Sequence, residues 1–339
     1  MRFVRSALLA LLVTSCSYGL SVYAQASWGV SKTFSIGGEG GWDYVTVDTT
    51  GHRLFVTRTT HTMIIDANTG QMLGDIPGQK RAHGVAIVPA LNRGFISDGA
   101  GNGAITVFDL KTYAVLGTLV AVPDTDGIIY DAASNLILAS AGDSSALLAF
   151  RPDVDPVHGT IGTPIDLGGK PEFLAVDGHG RAFVNLEDKD IVAVVDLRAR
   201  KVLQKWPVAP GGHPVGLSID AKSHHLLIGA RNPQKLVVMN TETGKVEAAL
   251  PIGAGVDATA FSDGEAFASC GDGKLIVAEE KAGKFVLKQT VTTPAGARTL
   301  GLDAAHHRIF LPTAEFEPVT SGRPKPKPGT FKIVVVERH

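Results

Sequence analysis

Seven polar residues that could act together on a ligand recur along the chain at a nearly constant interval. They lie 40 to 46 residues apart and comprise four carboxylates, two imidazoles and one guanidinium: Asp43, His83, Asp126, Glu172, His213, Asp257 and Arg298. If a repeated fold brought them to one place, the carboxylates would repel one another and their pKa values would spread. Some groups could then act as acids or bases near neutral pH, or the oxygens could hold a hard cation such as Ca²⁺.

A strand-and-turn pattern with the same interval explains this spacing. Each repeat opens with an apolar strand and a turn, and the turns are 41, 42, 46, 43, 42 and 41 residues apart, at Asp48, Pro89, Asp131, Asp177, Asp220, Ser262 and Asp303. Another apolar strand recurs in phase and ends at Asp66, Asp109, Phe150, Asp196, Asn240, Glu279 and Glu337. Helical periodicity is absent and β-branched residues dominate the strands. The pattern predicts an all-β fold, a seven-bladed β-propeller with four-stranded antiparallel blades.

The two ends of the repeat region complement each other. The seventh repeat stops after its third strand, residues 333–337, whereas a spare strand precedes the first repeat at residues 32–36. We expect this N-terminal strand to complete the last blade and to close the ring. Residues 25–339 then form a single propeller domain. Closing the ring leaves no large exposed sheet face.

The repeat also resembles a known family. Residues 53–57, RLFVT, resemble the YVTN repeat, and the IID-x-x-T-G turn at residues 64–70 is similar to that of YncE-like propellers. The resemblance covers about residues 32–339 and implies a seven-bladed propeller. Its superfamily includes binding proteins, repeat modules of surface layers and propeller domains of redox enzymes. The chain departs from the motif at Pro89, Arg151 and Ser262, and no catalytic residue is carried over by motif.

The repeat predicts where the polar residues lie. Positions five residues before each turn border the mouth of the central channel; two of them are Gly84 and Val215, beside which His83 and His213 stand. Loops on the same face add Arg58, His61, Asp98, Asn102, Asp143, Glu187, Arg231 and Cys270. Convergent polar groups in a concave mouth are the usual form of a ligand site. The candidate ligand-binding residues are therefore Asp43, Arg58, His61, His83, Asp126, Glu172, His213, Arg231, Asp257 and Arg298. We expect no cofactor and no dedicated metal ligands, with a divalent cation in the mouth as the alternative.

Other conspicuous segments lie away from this ring. His52, His179 and the pairs 224–225 and 306–307 fall in the first turn of their blades, which a shared turn template explains. Residues 315–330 contain three prolines alternating with lysines, which favours polyproline II geometry and predicts a lid, a partner contact or an ordinary surface loop on the mouth face. An insertion at residues 151–169 is interpreted as an extended hairpin.

The N-terminus has the parts of a secretory signal peptide. Arg2 and Arg5 precede a short apolar run at residues 7–13, and Ala24 ends a small-residue cleavage site. Residues 1–24 are therefore assigned to a signal peptide, and the protein is expected to be periplasmic or secreted. The alternative is a lipobox ending at Cys16, which would give a lipid-anchored protein. Cys270 is then the one cysteine of the mature chain, so no internal disulfide is expected.

The net charge of the mature chain disfavours one class of function. Removing residues 1–24 removes two arginines and no acid, which takes the net charge from −1 to −3 and disfavours nucleic-acid binding. We expect a monomer without a transmembrane segment. The leading hypothesis is a module that binds a small ligand or a protein partner at the polar mouth. The alternative is a lyase or hydrolase in which His83 or His213 is the base and Arg298 or Arg231 holds an anionic substrate.

Overall fold

Over residues 26–318 and 324–339, which the structure describes, the computed structural model contains seven four-stranded antiparallel sheets. The sheets are the blades of a propeller, and their innermost strands surround a central channel. The seven-bladed β-propeller expected from the repeat is confirmed. The signal-peptide assignment at residues 1–24 and the alternative at Cys16 lie outside the described residues. None of the helical turns in the described ranges is long and apolar enough to cross a membrane.

The first six blades follow one another along the chain, each running from its inner to its outer strand. Blades 1 to 3 consist of β2 (Val45–Asp48), β3 (Arg53–Arg58), β4 (His61–Asp66) and β5 (Met72–Pro77); β6 (Ala82–Val88), β7 (Arg93–Asp98), β8 (Ala104–Asp109) and β9 (Val115–Val120); and β10 (Thr125–Asp131), β11 (Leu136–Ala141), β12 (Ala146–Phe150) and β13 (Ile165–Asp166). Blades 4 to 6 consist of β14 (Pro171–Val176), β15 (Arg181–Leu186), β16 (Ile191–Asp196) and β17 (Lys201–Pro207); β18 (Pro214–Asp220), β19 (His225–Arg231), β20 (Gln234–Asn240) and β21 (Val246–Pro251); and β22 (Val256–Ser262), β23 (Glu265–Cys270), β24 (Lys274–Lys281) and β25 (Lys284–Thr292).

Blade 7 is completed from the other end of the chain, as predicted. It contains β26 (Gly301–Asp303), β27 (Arg308–Thr313), β28 (Lys332–Arg338) and, as its outer strand, β1 (Trp28–Ser35). In this pairing Phe34 lies opposite Ile333. The strand starts at Trp28, earlier than residue 32, because the indole is buried on the Phe267 ring and its Nε1 donates a 2.9 Å hydrogen bond to Glu265 of blade 6.

The core is divided among the junctions between blades. Each of the seven junctions in the described ranges holds its own layer of buried apolar side chains. The two middle strands of a blade face such a layer on both sides, so they are buried almost continuously, whereas an outer strand such as β5 is mostly exposed. This explains why β3 and β4 contain apolar runs instead of an alternating pattern.

Polar turns fasten neighbouring blades on the face opposite the mouth. Asp48 accepts a hydrogen bond from the Gly51 amide and pairs with Arg53, which donates a 2.6 Å hydrogen bond to the Leu110 carbonyl of the next blade. We call this arrangement, an aspartate paired with an arginine that donates to a carbonyl of a neighbouring blade, a clasp. Equivalent clasps join Asp177 with Arg181 and Thr241, and Asp303 with Arg308 and Ala67. His52, His224 and His307 occupy left-handed positions of these turns, as a shared template requires.

Two loops depart from the repeat. The extended hairpin expected at residues 151–169 is wrong, because residues 151–164 contain turns and only the two-residue β13 pairs with β12. The loop at residues 315–330 is described on both of its flanks. There Phe316 forms an antiparallel bridge with Pro326, and its ring lies 6.0 Å from that of Trp42 near the start of blade 1.

Candidate functional site

The predicted ring residues lie where the inner strands begin, at the mouth of the channel. In five consecutive blades the first strand changes register at this position, within the intervals Ala82–Val85, Thr125–Ile128, Pro171–Leu174, Pro214–Gly216 and Val256–Ala258. A bulge adds a residue to one strand and changes where side chains point. His83, Asp126, Glu172 and Asp257 lie within these intervals, so the backbone irregularity itself positions polar groups at the mouth.

The first group at the mouth joins blades 1, 2 and 3. The Nδ1 atom of His83 is 2.6 Å from Asp43 Oδ2 and 3.4 Å from Asp126 Oδ1. Burial lowers the pKa of His83, but the hydrogen bond with Asp43 and the charge of Asp126 outweigh it and raise that pKa to about 9. Burial, together with the charge of Asp43, raises the pKa of Asp126 to about 7, against the opposing effect of His83. His83 is therefore an imidazolium between two carboxyl groups.

The second group centres on two glutamates of blade 4. Burial and the charges of Asp126 and Glu187 raise the pKa of Glu172 to about 9, and its side chain is hydrogen-bonded to Glu187. Glu187 carries the negative charge of this pair: it is 2.8 Å from Lys170 Nζ and 3.0 Å from His213 Nε2. Although burial acts to raise the pKa of Glu187, the hydrogen bond from Lys170 outweighs it and lowers that pKa. Glu172 is thus the protonated partner, without a cation of its own among the described residues.

The third group places two guanidinium groups around one carboxylate. Asp257 Oδ1 accepts a hydrogen bond from Arg231, and Asp257 Oδ2 is 2.8 Å from Arg298 Nε. Asp257 is buried, which raises its pKa, and the two arginines oppose that rise. The side chain of Arg298 is 47% exposed, so one face of this group remains open to solvent.

An aromatic pair lies beneath the polar groups. The rings of Tyr44 and Phe173 meet edge to face, with centroids 4.7 Å apart. Burial and the surrounding carboxylates, Asp126 first, raise the pKa of Tyr44 well above its ordinary value. The channel below is mainly apolar and encloses a cavity of about 380 Å³, lined by Ile128 and Leu174 among others. The mouth is therefore polar and lies on an apolar base. We call the polar part the cup; it consists of Asp43, Tyr44, His83, Asp126, Lys170, Glu172, Glu187, His213, Arg231, Asp257 and Arg298.

Two of the ten candidates lie outside this cup. Arg58 is only 1% exposed, and its guanidinium donates hydrogen bonds to the carbonyls of Gly37, Glu39, Gly40 and Gly41. Burial lowers its pKa to about 10. His61 lies at the outer side of blade 1, with Nε2 4.0 Å from Asp75 of β5. The prediction that these two line the mouth is wrong. The Arg58 guanidinium turns towards the carbonyls of the preceding link, and His61 begins a third strand and faces the outer strand β5. Arg231 and Glu187, from equivalent hairpins, do reach the mouth.

Three members of the cup were not among the ten candidates: Tyr44, Lys170 and Glu187, of which the sequence analysis named only Glu187, as a loop residue on this face. Tyr44 directly follows Asp43, and an aromatic residue at this position predicts burial but does not indicate a role in the site. Lys170 lies two residues before Glu172 in a glycine-rich link, and its pairing with Glu187 depends on the turn after β15. The repeat spacing does identify the segments that contain Tyr44 and Lys170 as links between blades, because each segment precedes a first strand. Which side chain of the link turns inwards is fixed by the bulges.

Comparisons with known proteins identify the fold alone. No family model and no curated protein matches this chain. Among solved structures, the WD40 repeats of RRP9 superpose with a TM-score of 0.76 at 10% identity, over 92% of this chain and 100% of that one. The WD40 β-propeller domain of Doa1 gives 0.69 at 13% identity, over 91% and 97%, and a chain of the Mitotic Checkpoint Complex gives 0.72 at 12%, over 91% and 96%.

The chain is a seven-bladed β-propeller. This architecture is consistent with a module that binds a protein or a small ligand. At these identities the likeness carries no site residue and no partner from the neighbours to this chain. The chemistry of the mouth is determined by its own residues.

Proposed function

We propose that this protein is an exported YncE-like propeller that binds a small ligand carrying both a positive and a negative centre at the mouth of its channel. The supporting observation is the separation of charge across the cup. Asp126 and Glu172, from blades 3 and 4, belong to its acidic side. Arg231 and Arg298, which share Asp257, form its basic side.

The balance of groups on each side favours this class of ligand. Within the described residues, Asp43 and Asp126 share the one imidazolium of His83, and Glu187 pairs with Lys170. The acidic side therefore has one carboxyl group more than its cations balance, beside the protonated Glu172. On the other side two guanidiniums face one carboxylate, so a second anion is favoured there. A dipolar molecule that spans the cup satisfies both sides, whereas a simple anion or cation satisfies only one.

A ligand-binding experiment tests this proposal. Binding of glycine betaine, glutamate and arginine to the mature protein is measured by calorimetry, with choline and acetate as probes of single charge. We expect a dipolar probe to bind more tightly than both single-charge probes, and Arg298→Gln to weaken that binding at least tenfold. Arg198→Gln, at an exposed turn position outside the cup, is the matched control. Equal binding of all probes, or an unaffected Arg298→Gln variant, contradicts the proposal.

Export is tested separately. The N-terminal sequence and intact mass of the protein from its native cell distinguish cleavage after Ala24 from lipidation at Cys16, and retention of residues 1–24 contradicts export. A protein partner is the alternative occupant of the mouth, and crosslinking from the rim in the native compartment tests it.

Catalysis is the second candidate, and one observation favours it. His213 is 44% exposed at the rim, with its Nε2 3.0 Å from Glu187, which is an arrangement suited to a general base. His83 is less suited, because its Nε2 is buried and its imidazole is protonated near neutral pH. A substrate screen in which His213→Gln abolishes a turnover that His61→Gln retains would support an enzyme; activity retained by His213→Gln would exclude this base.

A further inference from the structure

Three groups from three successive blades converge in the cup on a small volume. Asp43, His83 and Asp126 each offer one ligand atom, and these atoms all lie within 4.8 Å of one another. The blades supply them through separate inner strands, so the arrangement is not a local turn. It depends on the packing of three neighbouring inner strands and on the bulges in β6 and β10.

Two polar atoms of this group have no hydrogen-bond partner among the described residues. His83 is only 8% exposed, and its Nε2 is buried without a partner. Asp126 Oδ1 is also buried without one, although it faces His83 Nδ1 at 3.4 Å. Unpartnered buried polar atoms are costly, and in native proteins they indicate a water, an ion or a ligand. Asp126 Oδ1 is the unpartnered atom that faces the cluster, whereas His83 Nε2 lies across the ring, beside Gly99.

We propose that Asp43, His83 and Asp126 form a binding site for a divalent transition-metal ion at the channel mouth. The inference rests on the proposed function, because it assigns the positive centre on the acidic side of the cup to a metal ion. The negative centre of the ligand would then lie between that ion and Arg298.

The donor set selects the class of metal. One imidazole nitrogen and two carboxylate oxygens suit Zn²⁺, Mn²⁺ or Co²⁺ better than Ca²⁺ or Mg²⁺, which prefer oxygen ligands alone. Binding of the ion replaces the proton on His83 Nδ1, which is released to solvent. In a tetrahedral zinc site the ligand atoms are about 3.4 Å apart, given metal–ligand distances near 2.1 Å. The two carboxylate oxygens lie 2.6 and 3.4 Å from His83 Nδ1, and all three ligand atoms lie within 4.8 Å of one another, which brackets this value. With three protein ligands, a fourth position remains for the ligand or for water.

The far side of the imidazole is closely packed against Gly99. A Cβ atom built on Gly99 would lie 2.9 Å from His83 Nε2 and 3.2 Å from the Thr125 carbonyl oxygen. Histidines that bind metal usually donate their other N–H to a carbonyl, a carboxylate or water, which fixes the ring. His83 Nε2 has no such partner among the described residues, so close packing against Gly99 holds the ring on that side.

The competing explanation is a purely structural ion pair that ties three blades together. It predicts that loss of either carboxylate lowers stability and that added metal changes nothing. A metal site predicts a saturable metal effect that needs both carboxylates. The two explanations therefore differ in a readout other than stability.

Metal binding to the mature protein tests the site directly. Protein treated with chelator and then dialysed is titrated with CoCl₂, and the visible absorption of Co²⁺ is recorded; ZnCl₂ is then added as competitor. We expect one equivalent of Co²⁺ to bind and Zn²⁺ to displace it. Asp43→Asn and Asp126→Asn should each weaken binding at least tenfold. Asp143→Asn, at an exposed loop position on the same face, should leave it unchanged.

Folding is controlled in the same samples. The two asparagine variants keep the shape of the side chain, and their thermal melts without metal show whether they fold. If one of them unfolds, Asp43→Glu or Asp126→Glu replaces it, and an altered Co²⁺ spectrum supports the site. No Co²⁺ binding by the folded wild type, or binding that survives both asparagine substitutions, overturns the inference.

The failure of this inference is distinguishable from failure of the proposed function. If a dipolar probe binds in the presence of chelator and depends on Arg298, while Co²⁺ does not bind, the metal site is wrong and the ligand proposal stands. If Co²⁺ binds as expected and no dipolar probe binds with or without metal, the metal site stands and the ligand proposal is wrong.

Discussion

The guanidinium of Arg58 lies over the ring of Phe331, 4.0 Å from its centre. Together with its hydrogen bonds to the carbonyls of residues 37–41, this contact joins the link after β1 to the segment before β28. The link carries the chain from the closing strand into blade 1. Arg58 therefore fastens the closure of the ring, and its position near the mouth is a consequence of that role.

Replacing Arg58 should destabilise the fold without changing the cup. Arg58→Leu leaves several backbone carbonyls without their charged donor, so we expect a loss of about 3 kcal/mol in the free energy of unfolding. Urea denaturation measures the loss, and Arg198→Leu at an exposed turn is the control. Ligand or metal binding per folded molecule should stay the same. A loss below about 0.5 kcal/mol, typical of surface changes, would contradict the role in closure.

The closing strand should depend on its buried indole more than on its exposed residues. Trp28→Ala removes the contact with Phe267 and the hydrogen bond to Glu265, and we expect a cost of about 3–5 kcal/mol. Val30→Ala, at an exposed position of the same strand, should cost less than about 1 kcal/mol. The midpoints of urea unfolding compare the two variants. Similar costs for both would show that Trp28 does not anchor the strand.

The clasp between Asp303 and Arg308 should stabilise the protein at neutral pH and lose its effect in acid. Burial acts to raise the pKa of Asp303, but hydrogen bonds from Arg308 and His306 outweigh it and lower that pKa. A group with a lowered folded-state pKa contributes stability above its unfolded value of about 3.9, and the contribution disappears as the pH falls through the folded pKa.

Asp303→Asn should therefore cost about 2 kcal/mol at pH 7, and the difference from wild type should shrink below about pH 4. Urea unfolding at a series of pH values measures the difference. Asp143→Asn, at an exposed position, controls for the loss of one carboxylate. A difference that is constant from pH 3 to pH 7 would show that the carboxylate charge does not matter in the clasp.

The sequence was sufficient for the architecture because the signals of a repeat are local. The turn residues Asp48, Asp177 and Asp303 accept hydrogen bonds from amides or pair with arginines a few positions away, so type and spacing determine their role. Closure by the N-terminal strand followed from counting strands. The ring from Asp43 to Arg298 followed from counting back from each turn, because every blade starts its inner strand at the same end of the channel.

The site was less predictable because it depends on side-chain direction. The register shifts that bring His83 and Asp126 to the mouth have no residue signature of their own. The repeat places Arg58 in a mouth-side hairpin, but its turn away from the cup and its burial depend on the path of residues 37–41 and on Phe331, which is distant in sequence. The protonated state of Glu172 depends on carboxylates from other blades, so only the assembled ring shows it.

Glu172 should make the protein less stable as the pH rises, in contrast with Asp303. Burial and the charges of Asp126 and Glu187 raise its pKa to about 9, whereas an unfolded glutamate titrates near about 4.3. Between these values the folded protein holds a proton that the unfolded chain has released. Stability therefore falls with rising pH across this window, and the contribution is flat below it.

Glu172→Gln should remove this dependence, because the amide can still donate a hydrogen bond to Glu187 and carries no charge. We expect equal stabilities at pH 4 and a variant more stable than wild type by on the order of 1 kcal/mol at pH 8, since the cost of a buried, like-charged carboxylate is gone. Urea unfolding in buffer with chelator measures this, and Glu280→Gln at an exposed position controls for the lost carboxylate. If the wild type lost no more stability than the variant between pH 5 and pH 8, Glu172 would be ionised in the folded cup, and the acidic side would carry one more negative charge for a ligand to meet.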